Sequence, residues 1–104
     1  MTLKIDILYT EDCTEWQTAD QLVQQALNEL GIEAEISYWM VESDRQAIEW
    51  GFAGSPTIFV NGADLFPSSR NSSQGLTLRS YITNEGIMGH PTYQMIIDAL
   101  RAFA

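Results

Sequence analysis

Apolar residues at Leu3, Ile5, Ile7 and Tyr9 alternate with Lys4 and Asp6, a period of two that predicts a β-strand. The period then lengthens. Trp16, Ala19, Leu22, Val23, Ala26, Leu27 and Leu30 recur at steps of three and four residues, which predicts an amphipathic helix starting near Thr14 and stopped by Gly31. Asp12 with Glu15, or Thr14 with Gln17, can each supply a capping box at its start. Alternation returns over Glu33 to Val41, with Ala34, Ile36, Tyr38 and Met40 on one face of a second strand. Ser43 and Gln46 can cap a short helix over Asp44 to Trp50, with Gly51 as its stop.

Beyond it, Gly51-Phe52-Ala53-Gly54-Ser55-Pro56 reads as a structured loop into the apolar strand Thr57-Ile58-Phe59-Val60. Asn61-Gly62 tolerates the positive φ of a type I′ turn, so a hairpin partner is expected from Ala63 to Phe66. The polar, serine-rich run from Pro67 to Gly75 reads as an exposed loop. Leu76, Leu78, Ser80 and Ile82 then alternate with Thr77, Arg79 and Tyr81, and Asn84-Glu85-Gly86 supplies a turn, so a strand or hairpin is expected near 76–88. The last helix is expected from about Pro91, packing through Met95, Ile96, Ala99, Leu100 and Phe103.

At 104 residues and without internal repeats, the chain is expected to form a single domain over 1–104. Fourteen carboxylates against five basic residues give a net charge of −9, and Lys4, Arg45, Arg70, Arg79 and Arg101 are scattered. A phosphate backbone needs a concentrated cationic face, so nucleic acid is not expected as a partner, and anionic membranes are disfavoured for the same reason. The start of the chain runs straight into a strand pattern without the features of a secretory signal, and a cytoplasmic location is expected. One cysteine allows no internal disulfide.

That cysteine, Cys13, stands where the first strand hands over to the first helix. A helix N-terminus presents unpaired N–H groups and the positive end of the macrodipole, which favour a thiolate; Glu11, Asp12 and Glu15 oppose it by repulsion. Other candidates weaken on inspection. His90 beside Pro91 reads as a cap or surface residue, and one cysteine with one histidine falls short of a zinc site. No phosphate-binding loop follows a strand, and the carboxylates show no convergence that would mark a general acid. Trp16, Trp39 and Trp50 read most simply as core or edge packing, and Trp16 can also line a groove beside Cys13.

The order strand, helix, strand, helix, strand-turn-strand, helix resembles the thioredoxin-like fold over nearly the whole chain. Cys13-Thr14-Glu15-Trp16 and Gly54-Ser55-Pro56-Thr57 carry the resemblance. It implies an α/β fold with a mixed four-stranded sheet flanked by helices. It also implies a cis Ser55-Pro56 bond facing Cys13 across a short groove shaped by Trp16, Ser55, Pro56 and Thr57, with the Ser55 backbone placed to pair with an extended thiol substrate. The chain is similar to small bacterial thioredoxin/glutaredoxin-like proteins with a single cysteine at the active-site position and a G-S-P-T loop. Their glycine-leucine strand and T-x-x-G-x-x-G-x-P tail are echoed by Gly75-Leu76, Thr83, Gly86, Gly89 and Pro91. Several such relatives carry cysteine where this chain has Leu78.

Dithiol thioredoxins need a second cysteine three positions after the first to release the mixed disulfide, and Trp16 stands there instead. The resemblance therefore implies monothiol thiol-disulfide exchange through Cys13, with glutathione or another thiol-containing molecule or protein supplying the resolving thiol. Two alternatives remain: a non-catalytic interaction module that keeps the fold, and a soft-metal or mercurial-binding thiol protein.

Overall fold

The computed structural model describes residues 2–67 and 76–104. Apart from Pro67, the loop expected over 67–75 lies outside the described residues.

Leu3–Tyr9 forms β1, and its alternation sets the layers of the molecule. One face of β1 carries Leu3, Ile5 and Ile7 into a core with Ala19, Val23, Ala26 and Leu27 of α1 (Glu15–Leu30) and Ile96, Ile97 and Leu100 of α3 (Tyr93–Leu100). The other face carries Leu8 into a smaller cluster with Val41, Ala47 and Phe52, beneath α2 (Asp44–Trp50). Each fully buried Ile or Val stabilises the fold by ~1.5–3 kcal/mol relative to exposure, so Ile5, Ile7, Val23 and Ile96 hold the larger layer.

β1 lies inside a four-stranded mixed sheet of order β2-β1-β3-β4. It pairs in parallel with β2 (Ala34–Met40), from Leu3 opposite Ala34 to Tyr9 opposite Met40. It pairs antiparallel with β3 (Thr57–Val60), which in turn meets β4 (Ala63–Asp64) across the expected turn, with φ of 52° at Asn61 and 86° at Gly62. β4 stops two residues short of Phe66, because the Asp64 carboxylate accepts the Phe66 N–H at 2.9 Å and turns the chain.

The helix ends separate expectation from outcome. Ser43 is extended and its hydroxyl accepts the Gln46 N–H at 3.1 Å, as expected. At α1 neither capping box forms: Thr14 already has helical dihedrals (φ −100°, ψ −17°), so its hydroxyl does not reach back to the first turn, and the Asp12 carboxylate accepts the Thr10 hydroxyl at 3.1 Å. In α3 the cap is Thr92, accepting the Met95 N–H at 3.2 Å, one residue past the Pro91 expected at the start. Ile97 joins the core, whereas Phe103, expected to pack there, lies 41 % exposed in a final 3-10 turn.

Tyr81–Thr83 (β5) and Gly86–Met88 (β6) form a separate two-stranded hairpin sheet, matching the strand or hairpin expected near 76–88. The run before it is reduced to a single parallel bridge between Leu78 and Ser55. Its alternation is present, with an unexpected face inward: Arg79 and Tyr81 are buried, whereas Leu76, Leu78 and Ile82 are exposed.

Candidate thiol site

Cys13 sits just before α1, in a tight turn where its N–H donates to the Thr10 carbonyl at 3.1 Å. The β1–α1 connection is tied to the loop before β3 by the Thr10 N–H, which donates to the Ser55 hydroxyl at 3.0 Å. The Ser55–Pro56 bond is cis. Tyr81 bonds the same loop: its hydroxyl donates to the Pro56 carbonyl at 2.5 Å. Burial pushes the Tyr81 phenol well above its ordinary range, the Arg79 guanidinium pulls it back in part, and Asp64 and Cys13 add to the rise.

These surroundings differ from an open groove. Cys13 is only 5 % exposed. Ser55 is 1 % exposed and Thr57 0 %; Pro56 is fully buried as well. Thr57 acts inward, donating its hydroxyl to the Gly54 carbonyl and accepting the Ala53 N–H at 3.2 Å, so it holds the loop that carries Ser55. The Ser55 backbone, expected to pair with a substrate, is already paired: its N–H donates to the Thr77 carbonyl at 2.8 Å and its carbonyl accepts the Arg79 N–H at 2.9 Å.

Trp16 turns toward the β1–β2 side, stacked on Tyr9 with ring centroids 4.3 Å apart and tilted against Tyr38 at 5.8 Å. Its half-buried indole packs on the main core. His90 is not a cap: its Nδ1 bonds the Pro91 carbonyl at 2.8 Å and its Nε2 lies 3.7 Å from Glu15.

Three residues escaped the sequence reading. Arg79 is buried, its guanidinium 3.0 Å from Asp64, bonded to the Phe66 carbonyl, and 4.8 Å from the centre of the Tyr81 ring. Arg79 and Tyr81 are two apart in a period-two run, so they share a face. That face reads as polar until Asp64 is known to neutralise it.

Beside the Cys13 turn, a depression of about 480 Å³ is lined by Thr10, Glu11, Asp12, Met40, Val41, Glu42 and Leu76. Among the described residues, three carboxylates and no cation line it. Among the described residues no three His, Cys, Asp or Glu side chains converge on a common point. No helix among them is long and apolar enough to cross a membrane. No protein-family model, curated protein or solved structure matches this chain.

Proposed function

We propose that the chain is a thioredoxin-like protein that performs monothiol exchange through Cys13. The observation that carries this reading is the link from Cys13, at the start of a sixteen-residue helix, to the Ser55–Pro56 loop through Thr10, whose carbonyl accepts the Cys13 N–H and whose N–H donates to the Ser55 hydroxyl. In the exchange, the Cys13 thiolate attacks one sulfur of a disulfide; a new S–S bond forms, the old one breaks, and the leaving thiolate takes up a proton. A second thiol must then release Cys13, since Trp16 occupies the resolving position.

The acidic depression beside the turn favours a neutral or cationic thiol partner over glutathione, whose own carboxylates it repels. The test compares cystamine with glutathione disulfide, following the mixed disulfide by intact mass, with Cys13→Ser as control. Faster modification by cystamine, with an advantage that shrinks as salt is added, is the expected result. No mixed disulfide with either reagent would remove the reading.

A second reading is favoured by the closed geometry: a non-catalytic module in which the buried thiol is structural and a partner peptide pairs with an exposed edge. It gains if Cys13 never exchanges while Cys13→Ser lowers stability by ~1–3 kcal/mol, the cost of leaving a buried polar group without a good partner. Urea unfolding of the two proteins reads that difference.

A further inference from the structure

We infer that Thr77–Tyr81 is an internal strap that fills the pairing edge of Ser55 and shuts Cys13, and that the thiol is reached only when this strap releases. The inference rests on the reading above, in which Cys13 and the Ser55–Pro56 loop form one site. The strap makes the two backbone bonds an incoming extended chain would make: Thr77 offers its carbonyl to the Ser55 N–H at 2.8 Å, and Arg79 offers its N–H to the Ser55 carbonyl at 2.9 Å. An extended substrate cannot use those groups while the strap is in place.

Gly54 permits the close approach. Its φ is +113°, and a Cβ there would stand 2.9 Å from the Arg79 Cβ and 3.0 Å from its Cα. Two side chains latch the strap: the Arg79 guanidinium on Asp64 and on the Phe66 carbonyl, and the Tyr81 hydroxyl on the Pro56 carbonyl. The strap meets the Cys13 turn through Ser55, whose hydroxyl accepts the Thr10 N–H at 3.0 Å while the Thr10 carbonyl accepts the Cys13 N–H at 3.1 Å.

Apart from the Tyr81 ring, which is buried edge-on to Phe66 with centroids 5.8 Å apart, little apolar burial holds the strap down. Leu78 is 66 % exposed at the bridge, and Leu76 before it and Ile82 after it also face outward. Neither Thr77 nor Arg79 belongs to the four-stranded sheet or to the main apolar core. Release therefore breaks a few polar bonds, unpacks one aromatic ring and leaves the four-stranded sheet and its helices packed, the condition for local opening below the cost of global unfolding.

The experiment follows alkylation of Cys13 by iodoacetamide in the intact protein across a series of low urea concentrations, alongside amide exchange of Arg79 and Ile58. In the wild type, slow alkylation with weak urea dependence is expected, in step with Arg79 exchange and well ahead of Ile58. Arg79→Ala should raise the rate roughly 10- to 100-fold, the scale of a lost charge-assisted hydrogen bond. Asp64→Asn keeps the shape and removes the charge, and serves should Arg79→Ala fail to fold. Fast alkylation of the wild type, alkylation with the full urea dependence of global unfolding, or an unchanged rate in a folded latch variant would each overturn the strap. Alkylation reads reach alone. A strap that opens onto a thiol that never exchanges with a disulfide would sink the functional reading and leave the strap standing.

Discussion

Tyr81 joins burial, charge and hydrogen bonding at one phenol, and its titration is the most direct residue-level test of the structure. Desolvation raises its pKa well above the ordinary 10.0, and the nearby Arg79 offsets only part of that rise. Tyr38 is pushed up to about 12, by loss of water contact first and then by its bond to Asp20 at 2.8 Å. A phenol whose folded pKa lies above its unfolded value contributes its full stability below pH 10, where both states are protonated. Above that pH the unfolded chain ionises first, and stability drains away as pH climbs toward the folded values. Urea midpoints should therefore fall steadily above about pH 10, with Tyr38 ionising before Tyr81 in the phenolate absorbance. A midpoint flat from neutral pH into this range would show that Tyr81 is not buried as described.

At the scale of elements, the three helix starts make different uses of similar residues. Ser43 and Thr92 are extended and accept an N–H from the first turn, whereas Thr14 is helical and accepts none. Ser43→Ala and Thr92→Ala should each cost ~1 kcal/mol in urea unfolding, and Thr14→Ala close to nothing. All three are capping residues by composition, and only the backbone dihedrals separate them. The same limit governs the rest of the reading. Period-two alternation over Leu3–Tyr9 and the three- and four-residue steps of α1 locate these elements because apolar burial acts over neighbouring turns. In 76–82 the alternation is equally plain, yet the buried face is Arg79 and Tyr81, because Asp64, distant in sequence, neutralises the guanidinium. Cys13 and the Ser55–Pro56 loop are legible as candidates; the segment that occupies the Ser55 backbone is not, since its side chains look ready for a core. Gly54→Ala tests that contact, because the new methyl meets Arg79 and the φ of +113° is strained for any L side chain. It should cost ~1–3 kcal/mol and speed exchange of the Arg79 amide before that of the sheet.

For the molecule as a whole the governing quantity is charge, −9 on a body of 36 × 30 × 25 Å. At roughly 0.01 M salt the screening length is about 30 Å, so nearly every carboxylate repels every other across the structure. At roughly 0.1 M it falls to about 10 Å, and only neighbours such as Glu11, Asp12 and Glu42 around the depression still interact strongly. The attractive pairs count for less. Arg45–Glu49 and Arg101–Asp98 are exposed and worth little, and the buried Arg79–Asp64 pair is barely screened by salt. Screening therefore removes more repulsion than attraction, and self-repulsion weighs on the compact state more than on the expanded one. The thermal midpoint at neutral pH should rise as salt increases over this range, in calorimetry or far-ultraviolet dichroism, and level off once the screening length drops below the spacing of neighbouring carboxylates. A midpoint that falls with added salt would mean that attractive pairs dominate the surface. The preference for cationic disulfides expected at Cys13 would then lose its electrostatic basis as well.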